Sequence, residues 1–168
     1  MSWEDDLQSL ARDREEEYQS RISQMVLDHP GTLRRQLRHY LAEQANRGTL
    51  KKTYDNVPRL VTHDENVHEL VCEGVEFWSD SRLSFEIKLE RDQRGWLVRQ
   101  FRFELLLTGR SINRFSVHLN AAAGYDPLKI PRCHFHVGNT EAHIPFPIMS
   151  PRLTLHLLCE YIEAEPKF

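Results

Sequence analysis

The first part of the chain has apolar residues at intervals of three and four, which is the spacing of an amphipathic helix. This pattern predicts a helix over residues 3–27, ended by His29-Pro30-Gly31. A second helix is predicted from a cap at Thr32 to about Arg47. Its apolar face would carry Leu33, Leu37 and Leu41, and its polar face would carry several arginines.

After residue 52 the pattern changes to an alternation of apolar and polar residues, which is typical of half-buried strands. The segment Asp92-Gln93-Arg94-Gly95 has the composition of a hairpin turn. Arg99 interrupts the apolar positions of the strand that follows this turn. The pattern predicts a short extended piece at 57–61 and strands at 68–78, 83–89, 97–107, 115–119 and 132–137.

The last element is predicted to be a helix that begins at Ser150-Pro151, with serine as the cap and proline at the first helical position. Before it, Pro145 and Pro147 are expected to break regular structure. The buried stripe of this helix would consist of Leu153, Leu157, Leu158, Tyr161 and Ile162. Strands in sequence with tight turns predict an α+β fold, with an antiparallel meander sheet of about five strands, two N-terminal helices and one C-terminal helix.

The composition indicates a globular protein of one domain over residues 1–168, with a helical arm at 1–48 and the sheet plus closing helix at 56–168. The chain has 168 residues, of which 40% are hydrophobic and 28% charged. A net charge of −3 gives no general attraction for nucleic acid. Three widely spaced cysteines, an acidic N-terminus and no apolar run of membrane-spanning length favour a cytoplasmic protein without disulfides or membrane contact.

The candidate chemistry is concentrated in a His-x-His motif. On a strand, Arg132, His134 and His136 would share one face. Arg114 and His118 would lie on the polar face of the preceding strand. Two histidines near neutral pKa could act as acid and base in metal-independent cleavage of RNA, with Arg114 or Arg132 holding the phosphate. The catalytic candidates are therefore His134, His136, Arg114, Arg132 and His118.

Two other interpretations of these histidines stay open. They could be ordinary strand residues that bond to their neighbours and need no cofactor. Alternatively, His134 and His136 could hold a divalent transition metal such as zinc, with His143, His118 or Glu141 as the third ligand. Whether the chain is an enzyme is not decided by its residues alone.

Several short motifs in the C-terminal half resemble the TumE-like toxins of prokaryotic toxin–antitoxin modules. They are Gly124-Tyr125-Asp126, then His134-Phe135-His136, then the leucine-rich segment 153–162. The resemblance spans about residues 82–162 and has Pro127 where family members commonly have asparagine. It implies a small α+β toxin that acts on RNA, uses His134 and His136, and has an antitoxin as partner.

A different class of function is also consistent with the sequence. The chain could be a non-enzymatic interaction module that docks through its N-terminal helix. The stripe on residues 3–27 could then form the seam of a homodimer, although it spans barely three heptads.

Overall fold

The computed structural model describes residues 25–51, 57–109, 113–120, 130–140 and 142–163, with side chains up to residue 160. Within the N-terminal segment it describes residues 9, 12, 13, 15–17 and 20–22, and all of these are helical. The elements that follow are α1 (Pro30–Asn46), β1 (Arg59–Thr62), β2 (Val67–Glu76), β3 (Arg82–Asp92), β4 (Gly95–Leu106), β5 (Arg114–Leu119), β6 (Cys133–Val137), β7 (Ile144–Pro145) and α2 (Pro151–Glu163).

The seven strands form one antiparallel sheet in chain order, β1 to β7. The α+β class and the antiparallel meander are confirmed, but the sheet has seven strands where about five were expected. One additional strand, β7, contains Pro145, which was expected to break regular structure. Proline fits there because β7 is an edge strand and needs no second set of ladder hydrogen bonds.

The hydrophobic core lies on one face of the sheet, which we call the core face. Alternate residues of β3 and β4 are almost fully buried on it, including Phe85 and Phe103. The helices contribute Leu37 and Leu155 to the same core cluster. The opposite face, called the outer face, carries the polar residues of each strand, so the period-two pattern sets the orientation of the whole sheet.

Two predicted helix boundaries were wrong. Helix α1 begins at Pro30 rather than after Thr32, and its cap is His29, whose Nδ1 accepts a hydrogen bond from the Gly31 N–H at 3.0 Å. The helix predicted over residues 3–27 ends earlier, because Leu27 forms a β-bridge with Trp96. Ile22 is buried in the core, so this part of the N-terminal segment packs against its own domain.

The predicted stripe of the C-terminal helix was right at Leu158, which is buried, and wrong at two other leucines. Ser150 caps α2 as expected, accepting a hydrogen bond from the Leu153 N–H at 3.3 Å. However, Leu153 and Leu157 are 45% and 41% exposed, whereas Leu155 is fully buried. Helix α2 has leucines on more than one face, so the spacing did not determine which face packs inward. The side chains of Tyr161 and Ile162 lie outside the described residues.

The difference in burial between Leu155 and Leu157 gives a matched pair of stability predictions. We expect Leu155→Ala to lower the free energy of unfolding by about 2–5 kcal/mol, because it leaves a cavity in the core. Leu157→Ala should cost less than about 1 kcal/mol, because this side chain is half in solvent. Urea unfolding of both variants, followed by circular dichroism, measures the difference. Equal losses would contradict the packing of α2.

Among the described residues, no helix combines the length and the apolar character that crossing a membrane requires.

Candidate functional site

Strands β5 and β6 pair so that their histidines meet on the outer face. His118 lies directly opposite His134, and Ser116 lies opposite His136. The pairing of these two strands and the alternation within each strand are sufficient to bring three imidazoles together.

A fourth histidine completes the group, which we call the histidine cluster: His118, His134, His136 and His143. The ring centroid of His118 lies 5.3 Å from that of His134 and 5.0 Å from that of His136. The ring of His143 lies 4.8 Å from that of His134 and 4.7 Å from that of His136. One nitrogen from each of His118, His134 and His136 lies within 4.8 Å of the others.

The ring of His134 is held in a defined orientation. The side chain is only 2% exposed, and its Nδ1 lies 2.8 Å from the carbonyl oxygen of Pro131. Because a carbonyl only accepts, Nδ1 carries the proton and donates it, which leaves the lone pair on Nε2. A backbone carbonyl that fixes the tautomer in this way is typical of metal-binding histidines.

His118 contributes a buried nitrogen that lacks a partner. Its Nε2 has no hydrogen bond among the described residues. The pKa of His118 is lowered to about 4, mainly by burial. The neighbouring rings of His134 and His136 and the charge of Arg102 lower it further, and Glu104 acts in the opposite direction. A buried polar atom without a partner costs free energy, so a ligand or water that met this nitrogen would be stabilising.

The pKa values of the other two strand histidines are lowered as well. Burial lowers the pKa of His134, opposed by its bond to Pro131, and the rings of His136 and His143 lower it further. Burial and His143 lower the pKa of His136, while the backbone of Thr140 and Ala142 acts in the opposite direction. These three imidazoles are therefore neutral near pH 7, the form that binds metals.

Beside the cluster, two arginines share one carboxylate. Arg102 and Arg114 each donate an Nη2 hydrogen bond to Oε2 of Glu104 at 2.8 Å. Burial alone would raise the pKa of Glu104, but the two arginines outweigh it and the pKa is lowered. The trio carries a net positive charge. Arg102 lies opposite His118 in the ladder, and Arg114 lies two residues before Ser116, the partner of His136.

Arg132 was predicted to share a strand face with His134, and Arg114 or Arg132 was predicted to hold a phosphate. Arg132 lies one residue before β6 and is 9% exposed, and its Nη1 donates to Oε1 of Glu15 at 3.2 Å. A buried arginine engaged with a carboxylate from the N-terminal segment supports that segment's packing. The other alternative ligand, Glu141, lies outside the described residues.

A polar pocket of about 490 Å³ opens beside the cluster. Its wall includes a turn at the end of β6, where Gly138 adopts a positive φ of 64°. This turn was not predicted from the sequence, although Gly-Asn after a strand is a turn signal. The lining residues are Arg114, Ser116, His118, His136, Gly138, Asn139, Thr140 and His143.

The cysteines lie apart from this chemistry. All three are free and buried, as expected. Burial raises the pKa of Cys133 to about 12 and that of Cys72 to about 11. Thiols in this state are poor nucleophiles and poor metal ligands near pH 7. Cys133 also lies next to His134 on a strand, so the two side chains leave opposite faces.

The lowered histidine pKa values predict a loss of stability in mild acid. In the unfolded chain a histidine binds its proton below about pH 6.5, whereas His118 in the folded chain binds it only below about 4. Acidification through this range therefore favours the unfolded state. We expect the urea midpoint of the metal-free chain to be lower at about pH 5 than at about pH 7.5.

The variant His118→Gln provides the comparison for this prediction, because glutamine does not titrate. Its urea midpoint should change less between the two pH values than that of the wild type. A wild-type midpoint that is equal or higher in acid would contradict the buried, neutral state of the cluster.

Comparisons of the chain with protein-family models, with curated proteins and with solved structures found no match. The resemblance to TumE-like toxins therefore stays a prediction.

Proposed function

We propose that the chain binds one divalent transition-metal ion through His118, His134 and His136, with a coordination position open toward the pocket. The observation that carries this proposal is the approach of three imidazole nitrogens to within 4.8 Å of one another. A tetrahedral zinc ion with Zn–N bonds of about 2.0–2.1 Å holds its ligands about 3.3 Å apart. Binding of the ion would draw these nitrogens together from separations of up to 4.8 Å.

Three further observations support a metal as the ligand. The Nε2 of His118 is buried and lacks a hydrogen bond among the described residues. The Nδ1 of His134 is bonded to a backbone carbonyl, which presents Nε2 to the cluster. The pKa of each of these histidines is lowered, so no proton has to be displaced near pH 7.

The donor set favours zinc, copper or nickel over magnesium or calcium. Imidazole nitrogen suits the first three ions, whereas the other two prefer oxygen ligands. The cluster consists of imidazoles alone, and the nearest described carboxylate on the outer face, Glu104, is engaged by two arginines. Zinc is therefore the natural probe, and cobalt its spectroscopic substitute.

An open position beside three histidines is the arrangement of catalytic rather than structural zinc sites. A metal there polarises a bound water or a ligand oxygen. His143 lines the pocket within ring contact of His136, so it is placed to hydrogen-bond a group at that position. Metal-assisted hydrolysis is the reaction class that we propose.

The metal-independent cleavage of RNA by His134 and His136 stays a prediction. The lowered pKa values support the metal site over it, because a general acid must be protonated near neutral pH. The antitoxin partner, the homodimer through residues 3–27 and the cytoplasmic location likewise stay predictions.

Metal stoichiometry tests the proposal. Purified chain is stripped with a chelator, dialysed against dilute zinc and then against buffer, and analysed by atomic emission. We expect one zinc ion retained per chain. Retention of no zinc, or of an equal amount by the triple variant that lacks His118, His134 and His136, would overturn the proposal.

A further inference from the structure

The pocket beside the histidine cluster has a positively charged lining, and this charge indicates the class of ligand. Among the eight described residues that line it, Arg114 is the one with a permanent charge, and none of these eight is a carboxylate. The remaining groups are imidazoles, hydroxyls, a carboxamide and backbone. Its volume of about 490 Å³ is in the range of sites for small molecules. An anionic small molecule matches this lining.

We infer that this pocket binds a small molecule through a carboxylate or phosphate group held between the metal at the histidine cluster and the guanidinium of Arg114. The inference rests on the proposed metal site and names the ligand class that this site would take. Both groups present several oxygens, so one oxygen can meet the metal while another accepts hydrogen bonds from Arg114.

Arg114 keeps donors for such a ligand. A guanidinium has five N–H donors, and one nitrogen of Arg114, Nη2, is bonded to Glu104. That carboxylate is shared with Arg102, so it does not neutralise both arginines. The side chain of Arg114 is 34% exposed, which places part of it at the pocket surface. Glu104 thus orients the guanidinium without cancelling the positive charge of the pair.

The polar groups around Arg114 complete a lining that accepts oxyanions. Ser116 lies opposite His136 in the β5–β6 ladder and is 3% exposed. Thr140 donates its hydroxyl to the carbonyl oxygen of Val137 at 2.9 Å, which fixes the turn that carries Asn139. Space is left open above Gly138, where an added Cβ would meet no atom within 4 Å. The ligand can therefore enter over this turn.

A second pocket on the outer face has a lining of the opposite charge. It has a volume of about 270 Å³, and its lining includes Glu73, Glu86 and Glu104 with Arg102 as its only arginine. Three carboxylates against one guanidinium repel anions. Arg102 and Glu104 both line this second pocket, whereas Arg114 lines the pocket beside the histidines without a carboxylate among its described lining residues. An anion is therefore favoured beside the histidines.

The test measures anion binding to zinc-loaded protein from which free zinc has been removed by gel filtration. Acetate and inorganic phosphate are titrated separately by calorimetry, and these two arms distinguish a carboxylate from a phosphate ligand. Arg114→Gln should weaken binding at least about 10-fold, because it removes charge-assisted hydrogen bonds. Chelation of the zinc should weaken binding as well.

Arg99→Gln is the matched control. Arg99 is also 34% exposed and also pairs with carboxylates, but it lies outside this pocket. We expect Arg99→Gln to bind the anion as the wild type does, and both variants to retain one zinc ion.

Binding of either anion with this dependence on Arg114 supports the inference. One zinc ion per chain together with no anion binding, or with equal binding by both variants, overturns it and leaves the metal site intact. Failure to retain zinc overturns the proposed function, and this inference with it.

Discussion

Replacing His134 with asparagine is expected to lower the affinity of the chain for zinc by at least about 100-fold. Asparagine keeps an amide nitrogen near the position of Nδ1, so the hydrogen bond to the Pro131 carbonyl can persist. It removes Nε2, the nitrogen that we assign to the metal. Competition for zinc with a chromophoric chelator measures the affinity, and circular dichroism measures the fold.

His39→Asn is the control for this variant. His39 lies on α1, is 73% exposed and pairs only with Glu43 four residues away among the described contacts. Its replacement should leave zinc affinity unchanged. If His134→Asn does not fold, His136→Asn at the more exposed ring tests the same claim. Wild-type affinity in a folded variant of either kind would contradict the site.

Zinc is expected to raise the thermal unfolding midpoint of the stripped chain by roughly 5–10 °C at a free concentration about 100 times the dissociation constant. The reason is linkage, because the folded chain gathers three imidazoles that the unfolded chain disperses. At that concentration the stabilisation is about 2.7 kcal/mol, and each kcal/mol moves the midpoint of a chain of this length by about 2–4 °C.

Magnesium at the same concentration is the control, because it prefers oxygen ligands and should not move the midpoint. A chelator added after zinc should return the midpoint to its starting value. A midpoint that zinc leaves unchanged, or that zinc and magnesium raise equally, would contradict specific binding at the histidine cluster.

The sheet was largely predictable because each strand alternates apolar and polar residues. The alternation in 83–89 and 97–107 and the turn at 92–95 identified β3 and β4, and these carry the core. The one residue noted above that interrupts this alternation in β4 also has a physical cause. Arg99 interrupts the pattern because it is the extra residue at a register shift in the β3–β4 ladder.

Helix α1 was predictable in its buried face, because Leu33, Leu37 and Leu41 are all buried as expected, but the buried face of α2 was only partly predictable. Helix α2 has leucines at 153, 155, 157 and 158, so several faces were apolar and only packing selects the buried one. The bridge between Leu27 and Trp96 depends on contact across the chain, which local periodicity does not report. The same is true of β7, whose proline disfavours a strand until an edge position is known.

The candidate site was predictable in its residues and not in its arrangement. Strand alternation placed His134 and His136 on one face, and the pairing of β5 with β6 added His118. The sequence did not distinguish among His143, His118 and Glu141 as the third ligand, because that choice depends on register. Arg132 satisfied the same alternation but lies just before the strand, where Glu15 reaches it.

The proposed metal site and the proposed anion site both lie on the outer face of the β5–β6 pair. Its two strands present imidazoles that are neutral because they are buried and close together. The turn after β6 then leaves a pocket that Arg114 helps to line. Each of these features follows from the strand register, so a metal site and an adjoining anion site arise from the same pairing.

X-ray absorption at the zinc edge of the zinc-loaded chain tests the central claim most directly. We predict a first shell of nitrogen and oxygen at about 2.0–2.1 Å with the outer-shell scattering of imidazole rings, and loss of part of that scattering in His134→Asn. A first shell that contains sulfur at about 2.3 Å, or one without imidazole scattering, would contradict the histidine cluster as the metal site.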